Sequence, residues 1–280
     1  MKQRLITALI LIVIALPIVI FSNYIIYPIV LSIIAVRAAF EFLRVFGVER
    51  RLLVVIPAYL LAAAFPQFGY FVEESSFITY LAVLAASLFV YMLLLMGIGV
   101  FSKGNIPFAR ISEIFTAITY VVVSFSSLSL LRYMDKDIGV FLIVLACLAS
   151  WLCDAGAYVF GMMFGKHKLI PEISPKKTVE GAVGGILTVT LLLPLYGLAL
   201  DFVVVNIQVN YLYLFILGFL LSVVSQLGDL VASLIKREYG VKDYGRIFPG
   251  HGGVMDRFDS LLAVTTVLLI LIAILPPFTM

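Results

Sequence analysis

The segment from Lys236 to Ser260, KREYGVKDYGRIFPGHGGVMDRFDS, gathers four kinds of chemical group in 25 residues. Lys236, Arg237, Lys242 and Arg246 supply positive charge. Pro249-Gly250-His251-Gly252-Gly253 lets the backbone turn tightly and present N–H groups with no side chain in the way. Asp256 and Asp259, three residues apart, share one face of a helical turn, and Asp243 adds a carboxylate in the loop before them. Carboxylates beside a bare turn and basic side chains suit a divalent cation that carries a polyphosphate. Mg2+ prefers one or two carboxylates plus phosphate oxygens. Phosphoryl or nucleotidyl transfer needs mostly positioning and charge neutralisation. Each feature also has a plainer explanation. The cations could obey membrane topology and touch anionic headgroups. The glycines could form only a turn, Asp256 a helix cap, and Asp259 a charge favoured by the helix dipole. Their concurrence argues for a site. Zinc is excluded for His251, because the only other histidine is His167 and no Cys/His spacing exists.

Two more carboxylates lie where apolar sequence surrounds them. Placing an acid inside a membrane span costs about 2.5–3.5 kcal/mol, so Asp154 and Asp229 need a reason. Ser150, Asp154 and Tyr158 recur every four residues on one helical face. Ser222, Gln226, Asp229, Ser233 and Lys236 form a longer stripe that must face protein or water. The plainer explanation is a polar network joining helices. A second loop, GMMFGKHKLIPEISPKKTVEG (161–181), carries Lys176, Lys177 and Thr178. Ser174-Pro175 predicts a helix start, Ser as N-cap and Pro at the first position. Lysines in the first turn oppose the dipole, which is reasonable if an anion sits between them and the free N–H groups. Gly181, Gly184 and Gly185 permit close helix packing.

The elements that position these groups are membrane helices. The chain has 280 residues, 63% hydrophobic and 12% charged, with a net charge of +3. Soluble domains run at about 45–50% apolar and ~25% charged. Too little polar surface exists to cover such an apolar mass, so soluble, disordered and coiled-coil classes are excluded. The expected fold is all-α, a polytopic membrane protein. Apolar runs predict nine spans, at about 5–22, 24–42, 51–68, 76–100, 114–132, 138–162, 180–200, 210–235 and 258–276. The first follows Lys2-Gln3-Arg4 with no small-x-small cleavage site, and is expected to be a retained span. Of the 19 Lys and Arg residues, only Arg132 and Lys136 fall on one side of the nine-span arrangement; Arg37 lies within a span, and the rest share the other side. That asymmetry predicts a cytoplasmic N-terminus and a site at the cytoplasmic face. Residues 1–113 look like scaffold helices and 114–280 like the catalytic region of one integrated membrane domain; Arg37, Glu41 and Glu113 are expected as interhelical partners only. Cys147 and Cys153, six apart in one apolar run, cannot pair as a disulfide and count as small hydrophobes.

The pattern Ser233-x-x-Lys236-Arg237-x4-Lys242-Asp243-x5-Pro249-Gly250-His251-Gly252-Gly253-x-x-Asp256-Arg257-x-Asp259 resembles the signature of the phosphatidate cytidylyltransferase (CDP-diacylglycerol synthase) family. The stretch Asp154-x3-Tyr158-x2-Gly161-x3-Gly165-Lys166, followed by Ser174-Pro175-Lys176-Lys177-Thr178-x-Glu180-Gly181, is similar to that family's other typical region. The resemblance covers about residues 150–260 by motif; the N-terminal half agrees only in hydropathy. It implies that CTP and phosphatidic acid give CDP-diacylglycerol and pyrophosphate, with Mg2+ required. One or two cations, and a monovalent ion such as K+, are compatible with it. It further implies an inner-membrane location, a cytoplasm-facing site, a homodimer and no nucleic-acid partner. On this basis Asp229, Asp256, Lys236, Lys242, Asp243 and His251 are expected in catalysis. Lys176, Lys177, Thr178, Ser233, Arg237, Gly250, Gly252, Gly253 and Arg257 are expected to bind substrate, and Asp229, Asp256, Asp259 and Asp154 to bind metal. The choice of CTP over another nucleotide rests on the resemblance alone.

Three other functions compete. A transporter or channel could place Asp154 and Asp229 on an ion path, but no inverted repeat or matched pair of broken helices is visible. A related enzyme could transfer CMP to an ether-linked archaeal lipid or another polar lipid. A non-catalytic lipid-binding scaffold is disfavoured by the complete acidic set.

Overall fold

Eight helices carry the described part of the chain: Ile26–Val45 (α1), Leu52–Phe68 (α2), Phe77–Phe101 (α3), Phe108–Tyr133 (α4), Gly139–Phe164 (α5), Val179–Val203 (α6), Tyr211–Glu238 (α7) and Met255–Leu271 (α8). They come from a computed structural model that describes residues 17, 19, 21–72, 76–103, 105–248, 250 and 252–280. Most of the expected 5–22 span, and His251, lie outside the described residues. Seven helices, α1 to α7, are long and apolar enough to cross a membrane, the second of them counted to Phe71. The expected last span corresponds to α8, which has 17 residues. The protein is a polytopic helical membrane protein, and the apolar runs become helices because only internally bonded backbone survives in hydrocarbon.

One short hairpin and one pair of strands distant in sequence accompany the helices. Lys168–Ile170 (β1) pairs antiparallel with Ser174–Thr178 (β2), with Lys168 opposite Thr178. Gln208–Val209 (β3) pairs with Phe278–Thr279 (β4). The hairpin corrects the expected helix start at Ser174. Residues 174–178 are extended, and α6 begins at Val179 with Thr178 as N-cap, its Oγ1 accepting the Gly181 N–H at 3.1 Å. A Ser-Pro pair suits an extended segment as well as a helix start, and β1 supplies the partner that decides it.

The chain divides into two compact units. The first comprises residues 1–134 and 241–257, the second 135–240 and 258–280. In the first, α1 packs on α2 and both pack on α4. Small buried residues, Ala35, Ala38 and Ala39 on α1 with Ala58 and Ala62 on α2, let the backbones approach. α2 contains Pro57 and Pro66. Hydroxyls from neighbouring helices bond its carbonyls: Ser32 to Ala63 at 2.7 Å, Ser129 to Pro66 at 2.6 Å and Tyr80 to Phe65 at 3.1 Å. Such bonds are worth making where no water can substitute.

In the second unit α5, α6 and α7 pack against one another. The contacts are backbone-close. A Cβ at Gly185 would stand 2.8 Å from the Cys153 carbonyl, and one at Gly218 2.8 Å from the Thr190 backbone. At Gly228 it would stand 2.8 Å from the Asp259 carbonyl. That last crossing sets Asp229 and Asp259 on two helices that touch beside them.

Candidate active site

The second unit holds a cavity of about 430 Å³. Its lining includes four charged side chains, Asp154 from α5, Lys176 and Lys177 from β2, and Asp229 from α7. It also includes the apolar or aromatic side chains of Ala157, Tyr158 and Met162 from α5 and Leu169 from β1. Tyr158 and Met162 are exposed. Lys177 Nζ lies 2.6 Å from Asp229 Oδ2, and both side chains keep about a quarter of their surface exposed, at 26% and 27%. Gln226 also lines the space and donates from Nε2 to the Ala182 carbonyl at 3.0 Å.

The two polar stripes divide their labour. On α5, Asp154 and Tyr158 line the cavity, whereas Ser150 is buried and shares a 2.7 Å hydrogen bond with Ser260 of α8. On α7, Gln226 and Asp229 line the cavity, while Ser222 bonds back to the Phe219 carbonyl at 2.8 Å. Ser233 is half-buried and Lys236 buried. Asp229, Asp154 and Lys236 lie close enough to Asp259 for their charges to act on it. Asp154, Asp229 and Asp259 therefore form one electrostatic group with Lys177 and Lys236 as counter-charges. Thr178 lines the cavity and caps α6. Arg237 is exposed and donates from Nε to the Ile173 carbonyl at 3.2 Å, which fastens the hairpin turn. Glu180 does the same at the hairpin's other end. It accepts the Lys166 N–H at 3.1 Å and stands 2.6 Å from His167 Nδ1.

In the first unit the glycine-rich segment is built around carboxylates. Gly250 and Gly252 have φ of 77° and 82°, the left-handed region that favours glycine. Phe248 N–H bonds the Gly252 carbonyl at 3.0 Å, closing the turn. Asp256 is buried; its Oδ2 accepts the Tyr244 N–H at 2.8 Å and the Gly253 N–H at 2.9 Å. The next two amides, Val254 and Met255, donate to Glu41 of α1 at 3.1 and 2.9 Å. Gly253 thus differs from the expectation that its N–H meets a phosphate, because a carboxylate of the chain already holds it. Lys242, Asp243, Arg246 and Arg257 are exposed.

Glu41 was expected only as an interhelical partner. It carried the same signal as Asp154 and Asp229, an acid inside an apolar run, but nothing in the sequence reveals that its partners are amides more than 200 residues away. Gln226 was visible in the α7 stripe, without a role.

Among the described residues no group of three or more His, Cys, Asp and Glu side chains could hold a metal ion by itself. The cavity lining offers two carboxylates, Asp154 and Asp229, and Mg2+ takes one or two carboxylates beside phosphate oxygens and water.

A helical membrane protein whose cavity sets carboxylates and lysines beside apolar side chains offers contacts to a charged group and an apolar one together. A model of the cytidylyltransferase family matches residues 2–275, and the chain belongs to that family. It is 43% identical over 186 residues to a phosphatidate cytidylyltransferase of Staphylococcus saprophyticus, covering 66% of this chain and 68% of that one. It is also 43% identical over 183 residues to a protein of the same name from Bacillus subtilis, covering 65% and 66%. A third, from Staphylococcus haemolyticus, is 41% identical over 186 residues, covering 66% and 68%.

Proposed function

We propose that this chain transfers the cytidylyl group of CTP to phosphatidic acid, giving CDP-diacylglycerol and pyrophosphate, in phospholipid biosynthesis. Family membership supports the nucleotide chemistry, and the relatives' name supplies the lipid. The observation that carries it here is the cavity whose lining combines Asp154, Asp229, Lys176 and Lys177 with Ala157, Tyr158, Met162 and Leu169. A phosphate head and acyl chains need charged and apolar contacts side by side.

In the reaction a phosphate oxygen of phosphatidic acid attacks the α-phosphorus of CTP. A new P–O bond forms, the bond from the α-phosphorus to the bridging oxygen breaks, and pyrophosphate leaves with that electron pair. The second pKa of a phosphate monoester is about 6, so the attacking oxygen is already anionic near neutral pH and no strong base is needed. The larger obstacle is repulsion between two polyanions. Lys176 and Lys177 would hold phosphates from β2, and Lys236 from α7. Lys177 would exchange Asp229 for phosphate as substrate enters. Mg2+, when bound by Asp229 and Asp259 with Asp154 near, would supply further neutralisation of phosphate charge. Asp256 enters the metal proposal from the sequence signature. The roles of Lys242, Asp243 and His251, a monovalent ion such as K+, and a homodimer come from the same resemblance. The bias of basic residues supports a site toward the cytoplasm, and a cell inner membrane comes from the resemblance.

The test is an assay of purified protein in detergent with labelled CTP, phosphatidic acid and Mg2+. Label is expected in the lipid phase with stoichiometric pyrophosphate. Absence of both, or ion flux in proteoliposomes without nucleotide, would overturn the assignment.

A further inference from the structure

Glu41 sits in a helix that the sequence marks as scaffold, yet it is 0% exposed and its carboxylate serves the glycine-rich segment. Oε1 accepts the Val254 N–H at 3.1 Å and Oε2 the Met255 N–H at 2.9 Å. With Gly253 bonded to Asp256 at 2.9 Å, three successive amides at the start of α8 are held by two carboxylates. Free N–H groups at a helix start attract an anion; here the chain supplies its own. Space is reserved for it, since a Cβ at either Gly245 or Gly253 would run into the Glu41 carboxylate. Its cationic neighbour is Arg37, one turn earlier on α1, at 3.4 Å. The same helix holds the segment twice more. Arg44 Nη2 donates to the Tyr244 carbonyl at 2.9 Å, and the Phe42 ring lies 5.0 Å from that of Tyr244, which is fully buried. A buried carboxylate is costly unless its hydrogen bonds are made. An apolar side chain could fill the space, but it could not hold two amides.

We propose that Glu41 is a positioning residue for the nucleotidyl-transfer site, fixing the Gly252-Gly253 end of the turn and the first turn of α8, and through them the Asp256 carboxylate. The role rests on the function proposed above. Asp256 takes one of its two backbone hydrogen bonds from the amide next to those that Glu41 holds, so releasing Val254 and Met255 loosens the loop that Asp256 closes.

The test uses the full chain in detergent with the substitution Glu41→Gln, which keeps the shape and removes the charge and one acceptor. Amide exchange across residues 241–257 is expected to speed up about tenfold or more while α5 and α6 stay protected. The kcat for lipid-linked cytidylyl transfer is expected to fall about 100-fold, as a misplaced catalytic group allows, with the KM for CTP little changed. Glu41→Asp, which keeps the charge on a shorter arm, is expected to recover part of both losses. Unchanged exchange and kcat in Glu41→Gln would overturn the proposal. So would rapid exchange throughout all helices in both variants, which would make Glu41 a general stability element. If the unaltered protein transferred no cytidylyl group, the functional proposal would fail while the exchange measurement still decided whether Glu41 fixes the turn.

Discussion

The carboxylates of the two units are used in opposite ways. In the second unit Asp154 and Asp229 line open space, and Asp229 pairs with the flexible end of Lys177. In the first unit Asp256 and Glu41 are buried and take their hydrogen bonds from fixed backbone amides. A partly exposed ion pair is worth little and rearranges readily, so Asp229 can trade its lysine for a ligand. A buried carboxylate bound to backbone amides cannot let go without exposing those donors. The same side chain therefore serves reception in one unit and shape in the other.

The sharpest way to break this comparison is Asp229→Asn. If Asp229 receives a cation and substrate, turnover should fall on the order of 10³-fold, comparable to removing a direct electrostatic contact. The melting temperature should stay near that of the parent, because the ion pair lost is partly exposed. A large drop in stability with turnover preserved would move Asp229 into the structural class. Asp256→Asn should behave differently. It abolishes turnover if Asp256 meets the reacting groups, and it also costs about 1–3 kcal/mol, since the amides of Tyr244 and Gly253 lose a charged acceptor. Denaturation in detergent separates the two variants. Equal stability in both would erase the distinction drawn here.

What the sequence makes legible follows from geometry that lies within one element. The spacing of Gln226 and Asp229 places both on one face of α7, and both line the cavity. Asp154 and Tyr158 follow the same rule on α5. Ser150 shares that face by spacing but bonds Ser260, because a face of a long helix meets different neighbours at each turn. The helix start expected at Ser174 is replaced by a strand because pairing with β1 is a tertiary fact, and the working cap lies at Thr178. Backbone amides leave no trace in the letters, so the bonds that Gly253, Val254 and Met255 make could not be foreseen.

Lys177→Ala tests whether the ion pair in the open region is held loosely. Losing one charge-assisted hydrogen bond to a phosphate is worth about 1.5–3 kcal/mol, so KM for CTP or lipid should rise about 10- to 100-fold. The effect on stability should be slight. An unchanged kinetic profile would return Lys177 to the role of a topology charge obeying the positive-inside bias.

The smallest effect is expected at Ser150. It lies four residues before Asp154 on the cavity-facing side of α5, yet its hydroxyl is buried and bonded to Ser260 at 2.7 Å. Ser150→Ala removes one neutral hydrogen bond and leaves the Ser260 hydroxyl to be satisfied elsewhere, a cost of about 1 kcal/mol. For a protein of this size that is about 2–4 °C in the melting temperature. Turnover and both KM values should stay at the parent level, because the hydroxyl is committed to holding α5 against α8. A shift in KM at unchanged melting temperature would mean that substrate reaches one turn deeper along α5 than Asp154. The face would then be receptive along its whole length, and the line between receiving and shaping groups would have to be redrawn inside the second unit itself.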